Sequence, residues 1–398
     1  MISISAALNI IKRETGTLGV ERIDLADAVG RILVEDIIAD TDMPPFDRSQ
    51  MDGYAVIAND TANSPVELQI VGESAAGHGW KGKLKKGEAV RIMTGAPVPA
   101  SADAVQKLEL AIESGNVVKI LESTSKGRYI VLRGTEIKKG KVVMRSGETI
   151  TPNSIAVPAA FGYAKVKVAK RPRVAILSTG SEIVEINKKP KTDQIRNSNS
   201  IMLATLCRAA GGEPTLLAIA GDNISDLKSQ ILNAVKSADI LITTGGVSVG
   251  KYDLTKAALT ELGAEIFFER VRLKPGKPTV FARLKKTLVF GLPGNPVSAA
   301  VTFYLFVRKA IVQMQSGLGT DMQHATAITI DAVRAPKERD AYIPGILSTD
   351  ARGRLLVKPL SWHGSSDFAG FAKADALMVV SRGRSFDRGS CVKVLFLR

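Results

Sequence analysis

Residues 239–253, DILITTGGVSVGKYD, join a short apolar run to a glycine-rich turn and an acid, and a helical pattern, LTKAALTEL, follows. Strand, glycine loop and helix in that order is how open α/β sheets build ligand crevices at their strand ends. Gly245, Gly246 and Ser248 lie in the loop, whose backbone N–H groups can approach an oxyanion closely. Asp253 at its far end offers a metal ligand. Two more acids follow apolar runs: RVAILSTG leads into Ser181-Glu182, and TLLAIAG into Asp222. If these strands are parallel, Glu182, Asp222 and Asp253 fall at one carboxyl edge of a sheet. Clustered carboxylates without histidine or cysteine suit Mg²⁺, held by one or two acids plus water and substrate phosphate. Plainer roles stay open for each, since Asp253 could cap the helix from Leu254 and Asp222 could be a turn residue.

Cations stand on the other side. RVRLKPGKP places Arg270, Lys274 and Lys277 beside a Pro-Gly turn. GLPGNPVSA places Asn295 at a helix N-cap and Pro296 at the first helical position, a natural seat for an anion. The alternative for the lysines is an ordinary solvated surface. Cations and loop amides for an anion, with acids for a divalent ion, fit a phosphate-bearing ligand. A second polar region is PPFDRSQMDGYA, with Asp47, Ser49 and Asp52, and Thr94 lies on a similar loop in RIMTGAPVP. Loops of this composition often carry function, although a structural turn accounts for either alone. His78, His324 and His363 make neither a triad nor a metal pattern.

The elements that must position these residues divide along the chain. ISAALNIIKRE reads as a helix, with short strands ERIDL and RILVEDIIA after it. Short strands broken by glycine turns, such as VELQIVGE, GEAVRIMT and GNVVKIL, make residues 54–147 β-rich. ITPNSIAVPAAFG reads as helical after Pro152, YAKVKVA as a strand, and Lys170-Arg171-Pro172 as a boundary. From Arg173 the runs RVAILST, TLLAIA, DILITT and TLVFGL are too apolar to alternate, as strands buried on both faces should be. Helical patterns SIMLATLCRAAG, ISDLKSQILNAVKSA and LTKAALTELG alternate with them, and PVSAAVTFYLFVRKAIVQMQ is apolar enough to pack on the sheet. This predicts a doubly wound, mostly parallel α/β domain. ATAITIDAV, RLLVKPL, ALMVVS and CVKVLFL predict a small terminal β-domain.

The 398 residues leave room for two to four domains. No run reaches transmembrane length and the start lacks the basic head of a signal peptide, so a cytoplasmic protein with no membrane partner is expected. Cys207 and Cys391 lie far apart and encode neither a disulfide framework nor a zinc site. The net charge of +15 admits nucleic acid, an anionic membrane, an anionic small molecule or a solvated lysine-rich surface. The basic residues are scattered without interleaved aromatics, which argues against a nucleic-acid partner.

In chain order, PPFDRSQMDGYA, RIMTGAPVP, AILSTGSE, TTGGVSVGKYD, LKPGKP and GLPGNPVSA resemble the MoeA-like molybdopterin molybdenumtransferases. The similarity extends to the molybdenum-cofactor domain of gephyrin and covers nearly the whole chain. The resemblance implies insertion of molybdate or tungstate into the dithiolene of adenylylated molybdopterin, with Mg²⁺ or a similar divalent ion and release of AMP. It implies a homodimer with the active site shared between subunits, and transient contact with other molybdenum-cofactor enzymes. Four domains are implied: a discontinuous linker domain of residues 1–45 and 147–171, an inserted β-rich domain of 46–146, an α/β molybdopterin-binding domain of 172–320, and a C-terminal β-barrel-like domain of 321–398. Asp47, Ser49, Asp52 and Thr94 would form the cleft wall opposite Glu182, Asp222 and Asp253, with Asp47 or Asp52 orienting the attacking oxygen or relaying a proton. Pro293, Pro296 and Ser365, the last in WHGSSDF, match family positions at the site. Arg270 stands where many relatives carry lysine, and Glu136, near Arg133, where aspartate is common. Guanidinium and ammonium are not equivalent, so ligand geometry is what these departures touch. Three other readings remain: a molybdopterin adenylyltransferase, which shares the GGVSVG-type module, a non-enzymatic scaffold, and a basic nucleic-acid binder.

Overall fold

The apolar runs after Arg173 form a six-stranded sheet in the computed structural model, which describes residues 1–221, 223–246, 254–317, 321–361 and 364–397. Its strand order is Glu213–Leu216, Arg173–Ser178, Ile240–Thr244, Thr287–Leu292, Pro278–Leu284, Glu265–Arg270. The first four strands are parallel, and the last two pair antiparallel. Ile240–Thr244 and Thr287–Leu292 are buried at every position. The pleat sends alternate residues to opposite layers. Ile176, Ile242 and Phe290 meet helices Ile4–Glu14 and Ser198–Ala209 on one face, while Leu177, Leu241 and Val289 meet helices Ile224–Ala234 and Leu254–Glu261 on the other. Helices on both faces make the domain doubly wound.

Helix Ile4–Glu14 shows why these segments fold as they do. The Ser3 hydroxyl accepts the Ala6 N–H, Ile4, Ala7 and Ile11 share the buried face, and Lys12 and Arg13 sit in the last turn. A continuous helix spans residues 296–314, with a π-helical stretch at Phe303–Val307. It is long and apolar enough to cross a membrane, but 72% of it is buried inside the protein, so its apolarity is that of a core helix.

The terminal β-domain closes on itself. Asp340–Thr349, Leu355–Pro359, His324–Thr329, Cys391–Phe396 and Ala376–Val380 pair in that order, and the last returns to the first. Closure leaves these five strands with no open edge. In the longest strand, residues 341–345 pair with one neighbour and 345–349 with the other. Pro344 and Gly345 fall at that change of partner, where proline is tolerated.

Two departures from the sequence reading concern strands. TLLAIA does not form one strand. The edge strand is Glu213–Leu216, and Ala220 meets Thr179 only through an isolated parallel bridge. Pairing on one side only leaves Glu213, Thr215 and Leu216 exposed, while Leu217 turns toward the core. Glu265–Arg270 and Asp340–Thr349, not anticipated from sequence, complete the sheet and the barrel. The helix after Pro152 is short, covering only Ala156–Ala160.

Two compact units account for the chain: Met1–Val34, Gly147–Thr151 and Val166–Arg398 in one, and Glu35–Ser146 with Pro152–Lys165 in the other. The second unit holds a six-stranded sheet in the order Ala104–Lys107, Gly53–Val56, Glu88–Ile92, Val66–Ser74, Val117–Ile120, Ala111–Ser114. Its ends are joined, because Ile37–Ile38 pairs antiparallel with Val142–Met144. Gly53 begins a strand where a Cβ would overlap the Gln106 carbonyl oxygen, so only glycine fits.

Phe290 is fully buried and packs on Phe281 with ring centroids 4.8 Å apart. Phe290→Ala should cost about 3–5 kcal/mol of stability. Urea unfolding followed by circular dichroism checks this, and an unchanged midpoint would contradict the packing described.

Candidate functional site

At the carboxyl end of the parallel strands lies a crevice of about 860 Å³, lined by Ser178, Thr179, Glu182, Asn199, Thr244, Gly245, Gly246, Pro293, Asn295 and Pro296 among others. Backbone crowding shapes it. Gly245 and Gly246 have φ of +92° and +63°, and a Cβ on either would strike Thr179. Gly180, at φ +140°, leaves room for the Glu182 carboxylate to fold back over the strand end. Glycine is therefore required at these positions both for conformation and for space. Asn199 locks the same edge: its Nδ2 donates to Thr244 Oγ1 at 3.0 Å and to the Gly294 carbonyl at 2.7 Å. Those two donations fix the amide orientation. Asn197 caps the Ser198–Ala209 helix by accepting the Ser200 N–H at 3.1 Å.

A second cavity, of about 510 Å³, is lined by Lys274, Lys277, Arg339, Asn295, Ser298 and Ser365, with Pro275, Gly276, Pro278, Pro293 and Gly364. Three cationic side chains and no carboxylate line it, which makes it a seat for an anion. Leu273–Lys274 pairs in parallel with the long barrel strand, Leu273 opposite Asp340 and Lys274 opposite Ala341, and so brings the segment that carries Arg339 to the cavity that Lys274 lines. Thr279 donates to the Gly276 carbonyl at 2.8 Å and holds the turn between the two lysines. Asn295 occupies the N-cap position and Pro296 the first helical position, yet the Asn295 side chain makes no capping bond. Instead its Nδ2 donates to Ser365 Oγ at 2.8 Å, while the Ser365 carbonyl accepts the Val297 N–H at 3.1 Å. Having accepted from Asn295, the Ser365 hydroxyl keeps its own hydrogen to donate. Pro278, Pro293 and Asn295 line both cavities, so the two adjoin.

Arg270 ends an outer strand, exposed, opposite Pro278, and is not among the residues lining either cavity. Asp222, Ser248 and Asp253 lie outside the described residues, as does His363. Arg339 and Ser298 were missed in the sequence. Ser298 looks like any helix residue, and Arg339 sits in an ordinary charged turn, APKERD, until the strand pairing with Leu273–Lys274 carries it to the cavity.

The remaining residues gather within the other unit. Asp47 accepts the Arg133 N–H at 2.7 Å, and Asp52 accepts the Thr94 N–H at 2.7 Å. Ser49 is buried and donates to the Met51 carbonyl at 2.6 Å, and its own carbonyl accepts the Gly95 N–H at 2.8 Å. The Arg133 guanidinium pairs with Asp42 at 2.8 Å, and Glu136 with Arg48 at 3.2 Å. Asp47, Ser49, Asp52, Thr94 and Arg133 thus form one loop cluster. Donation from the Thr94 N–H, and from its hydroxyl, holds the Asp52 carboxyl below the usual carboxylate range.

Among the described residues, no three of His, Cys, Asp and Glu come together as a metal cage. Glu182 gives the crevice one carboxylate, with hydroxyl and amide oxygens of Thr179, Thr244 and Asn199 around it. Such a hard-oxygen set fits Mg²⁺, which takes few protein ligands and fills its shell with water and substrate phosphate. It does not fit a soft, sulfur-seeking metal.

Because its folded pKa is lowered, Asp52 contributes stability that is fully present above its unfolded pKa of about 3.9 and is lost as pH falls through the folded value. Carbon-detected NMR titration should find the Asp52 carboxyl titrating below ordinary aspartates. In Thr94→Val the depression should shrink but persist, since the backbone donor remains. An Asp52 that titrates like a free aspartate in the unchanged protein would contradict the bond.

Comparison with known proteins accords with this architecture. Residues 2–162 match the MoeA N-terminal region (domain I and II), 175–313 a probable molybdopterin binding domain, and 326–397 the MoeA C-terminal region (domain IV). The molybdopterin molybdenumtransferase of Bacillus subtilis is 35% identical over 390 residues, covering 95% of this chain and 90% of its own. That of Haemophilus influenzae is 35% identical over 366 residues, 92% of this chain and 90% of its own. A crystal structure of the molybdopterin biosynthesis MoeA protein of Pyrococcus horikoshii OT3 superposes with a TM-score of 0.86 at 29% identity, covering 100% of both chains. With identity of this level sustained across nearly the full length of both partners, the chain belongs to the MoeA family of molybdopterin molybdenumtransferases.

Proposed function

We propose that the chain inserts molybdate, or tungstate, into the dithiolene of adenylylated molybdopterin and releases AMP, yielding molybdenum cofactor. The observation that carries this reading is the adjoining pair of cavities. One offers three cations and no acid, and the other lies at the carboxyl edge of a parallel sheet with Glu182. A pterin bearing a phosphoanhydride fits the larger and an oxyanion the smaller, with Pro278, Pro293 and Asn295 at the junction.

Lys274, Lys277 and Arg339 would hold the oxyanion and neutralise charge as it develops, and the Ser365 hydroxyl would donate to one of its oxygens. Glu182, with Asp222 and Asp253 as the further acids expected from sequence, would hold Mg²⁺, whose chemistry there would be charge neutralisation at the phosphoanhydride. Asn199, its orientation fixed, keeps the crevice edge rigid while ligands exchange. The reading includes a homodimer with a shared site, to which the loop cluster of Asp47, Ser49, Asp52, Thr94 and Arg133 would contribute.

The test is AMP release from adenylylated molybdopterin with Mg²⁺, with and without molybdate. Molybdate-dependent release is expected, whereas adenylylated product accumulating from ATP and molybdopterin would favour an adenylyltransferase. Glu182→Gln should lower turnover by about 10²-fold or more with the circular dichroism spectrum unchanged. Arg339→Leu should raise the molybdate concentration needed for half-maximal rate by about tenfold to a hundredfold. Full activity of both variants would overturn the assignment.

A further inference from the structure

Beside the small cavity lies a surface that this reading leaves without a role. Val333–Arg334 and Ser385–Phe386 form an antiparallel ribbon, with Arg334 opposite Ser385. The turns that flank it are bound to each other: Ala335 donates to the Arg384 carbonyl at 3.0 Å, and Gly383 to the Pro336 carbonyl at 2.9 Å. The Asp340 carboxylate accepts the Arg382 N–H at 2.9 Å. Segments 333–340 and 381–388 together carry six basic residues and three acids, and one of those acids, Asp340, is already engaged with backbone. Arg334, Lys337, Arg382 and Arg384 are exposed. Their side chains, like that of Arg339, form no ion pair with a carboxylate among the described residues.

Position gives the cluster its meaning. Arg339 belongs to the same segment and lines the anion cavity, and the Asp340 N–H donates to the Arg272 carbonyl at 3.0 Å, next to Lys274. Basic residues therefore outnumber acids two to one from the exposed ribbon to Arg339, which shares its cavity with Lys274 and Lys277. Like charges held together this closely repel one another and cost stability unless an anion offsets them. A patch that served only solubility would have no reason to adjoin a cavity that also lacks acids.

We propose that this ribbon is a capture surface for the anionic ligand of the small cavity: it draws ligands of phosphate chemistry in by long-range attraction and delivers them past Arg339. The proposal rests on the assignment of the cavities under the proposed function. Its attraction acts on the approaching and on the bound anion alike, so affinity depends on charge and ionic strength but not on side-chain shape.

The test uses the full chain, a quadruple variant (Arg334→Ser, Lys337→Ser, Arg382→Ser, Arg384→Ser) and a charge-keeping variant (Arg334→Lys, Arg382→Lys, Arg384→Lys). Inorganic tripolyphosphate is titrated calorimetrically into each at about 20 mM and about 300 mM salt, where the screening length differs several-fold. The quadruple variant should bind about tenfold more weakly at low salt and equally at high salt, with the charge-keeping variant like the unchanged chain. Equal affinity of the quadruple variant at low salt, a deficit that survives high salt, or a charge-keeping variant as weak as the quadruple one would overturn the proposal. So would tripolyphosphate that fails to bind the unchanged chain. Binding of a DNA duplex that the quadruple variant loses, with tripolyphosphate binding intact, would replace it with a nucleic-acid face. Tripolyphosphate carries neither pterin nor adenosine. If it binds as expected while AMP release fails, the proposed function falls and the capture surface stands.

Discussion

Two strand ends approach one another so closely that no side chain fits between them, and the crevice depends on this contact. The two residues after Ile240–Thr244 pass close over Thr179, and they do so only because both are glycines at positive φ. Given that passage, Thr244 reaches Asn199, Asn199 reaches the Gly294 carbonyl, and the loop before the long core helix is fixed against the sheet. Asn295 at the end of that loop then holds Ser365. Strand, helix, proline loop and barrel-domain segment are linked by a few hydrogen bonds, each worth about 1 kcal/mol singly but able to act as a unit.

The cavities differ in charge. One collects three cations from two distant stretches of chain, and the other is lined by one carboxylate, Glu182, and one cation, Arg196. Pro278, Pro293 and Asn295 line both cavities and so lie between Lys274 and Lys277 on one side and Glu182 on the other. Preorganised charge of this kind needs no rearrangement when a ligand arrives.

Some of this was legible in the sequence and some was not, for physical reasons. TLVFGL and DILITT announced themselves because strands buried on both faces have no polar side to alternate with. GNP and PGKP were readable because proline and glycine restrict the backbone locally. TLLAIA misled because its apolar run continues past the end of the edge strand, where Leu217, its N–H still donating to the Ile176 carbonyl at 2.9 Å, turns toward the core. Asp340–Thr349 carries Pro344-Gly345 at its centre, a pair that suits a strand only where it changes partner, which local sequence does not reveal. Arg339 has no local signature at all, since a parallel pairing with residues far earlier in the chain places it.

The joined ends of the second unit bear on how the chain can reach its native state. Residues 35–146, which share this unit with 152–165, leave and return beside the antiparallel pairing of Ile37–Ile38 with Val142–Met144. Just outside it, the Leu33 N–H donates to the Glu148 carbonyl at 2.9 Å and the Gly147 N–H to the Leu33 carbonyl at 2.7 Å. Once that contact forms, the long excursion weighs on the rest of the chain like a tight hairpin, because closure entropy depends on the span left free and not on the residues already ordered inside it. Topologically, the insertion is a detour that begins and ends at the same point. Within the first unit, Gly147 can therefore follow Val34 as though the sequence were continuous there.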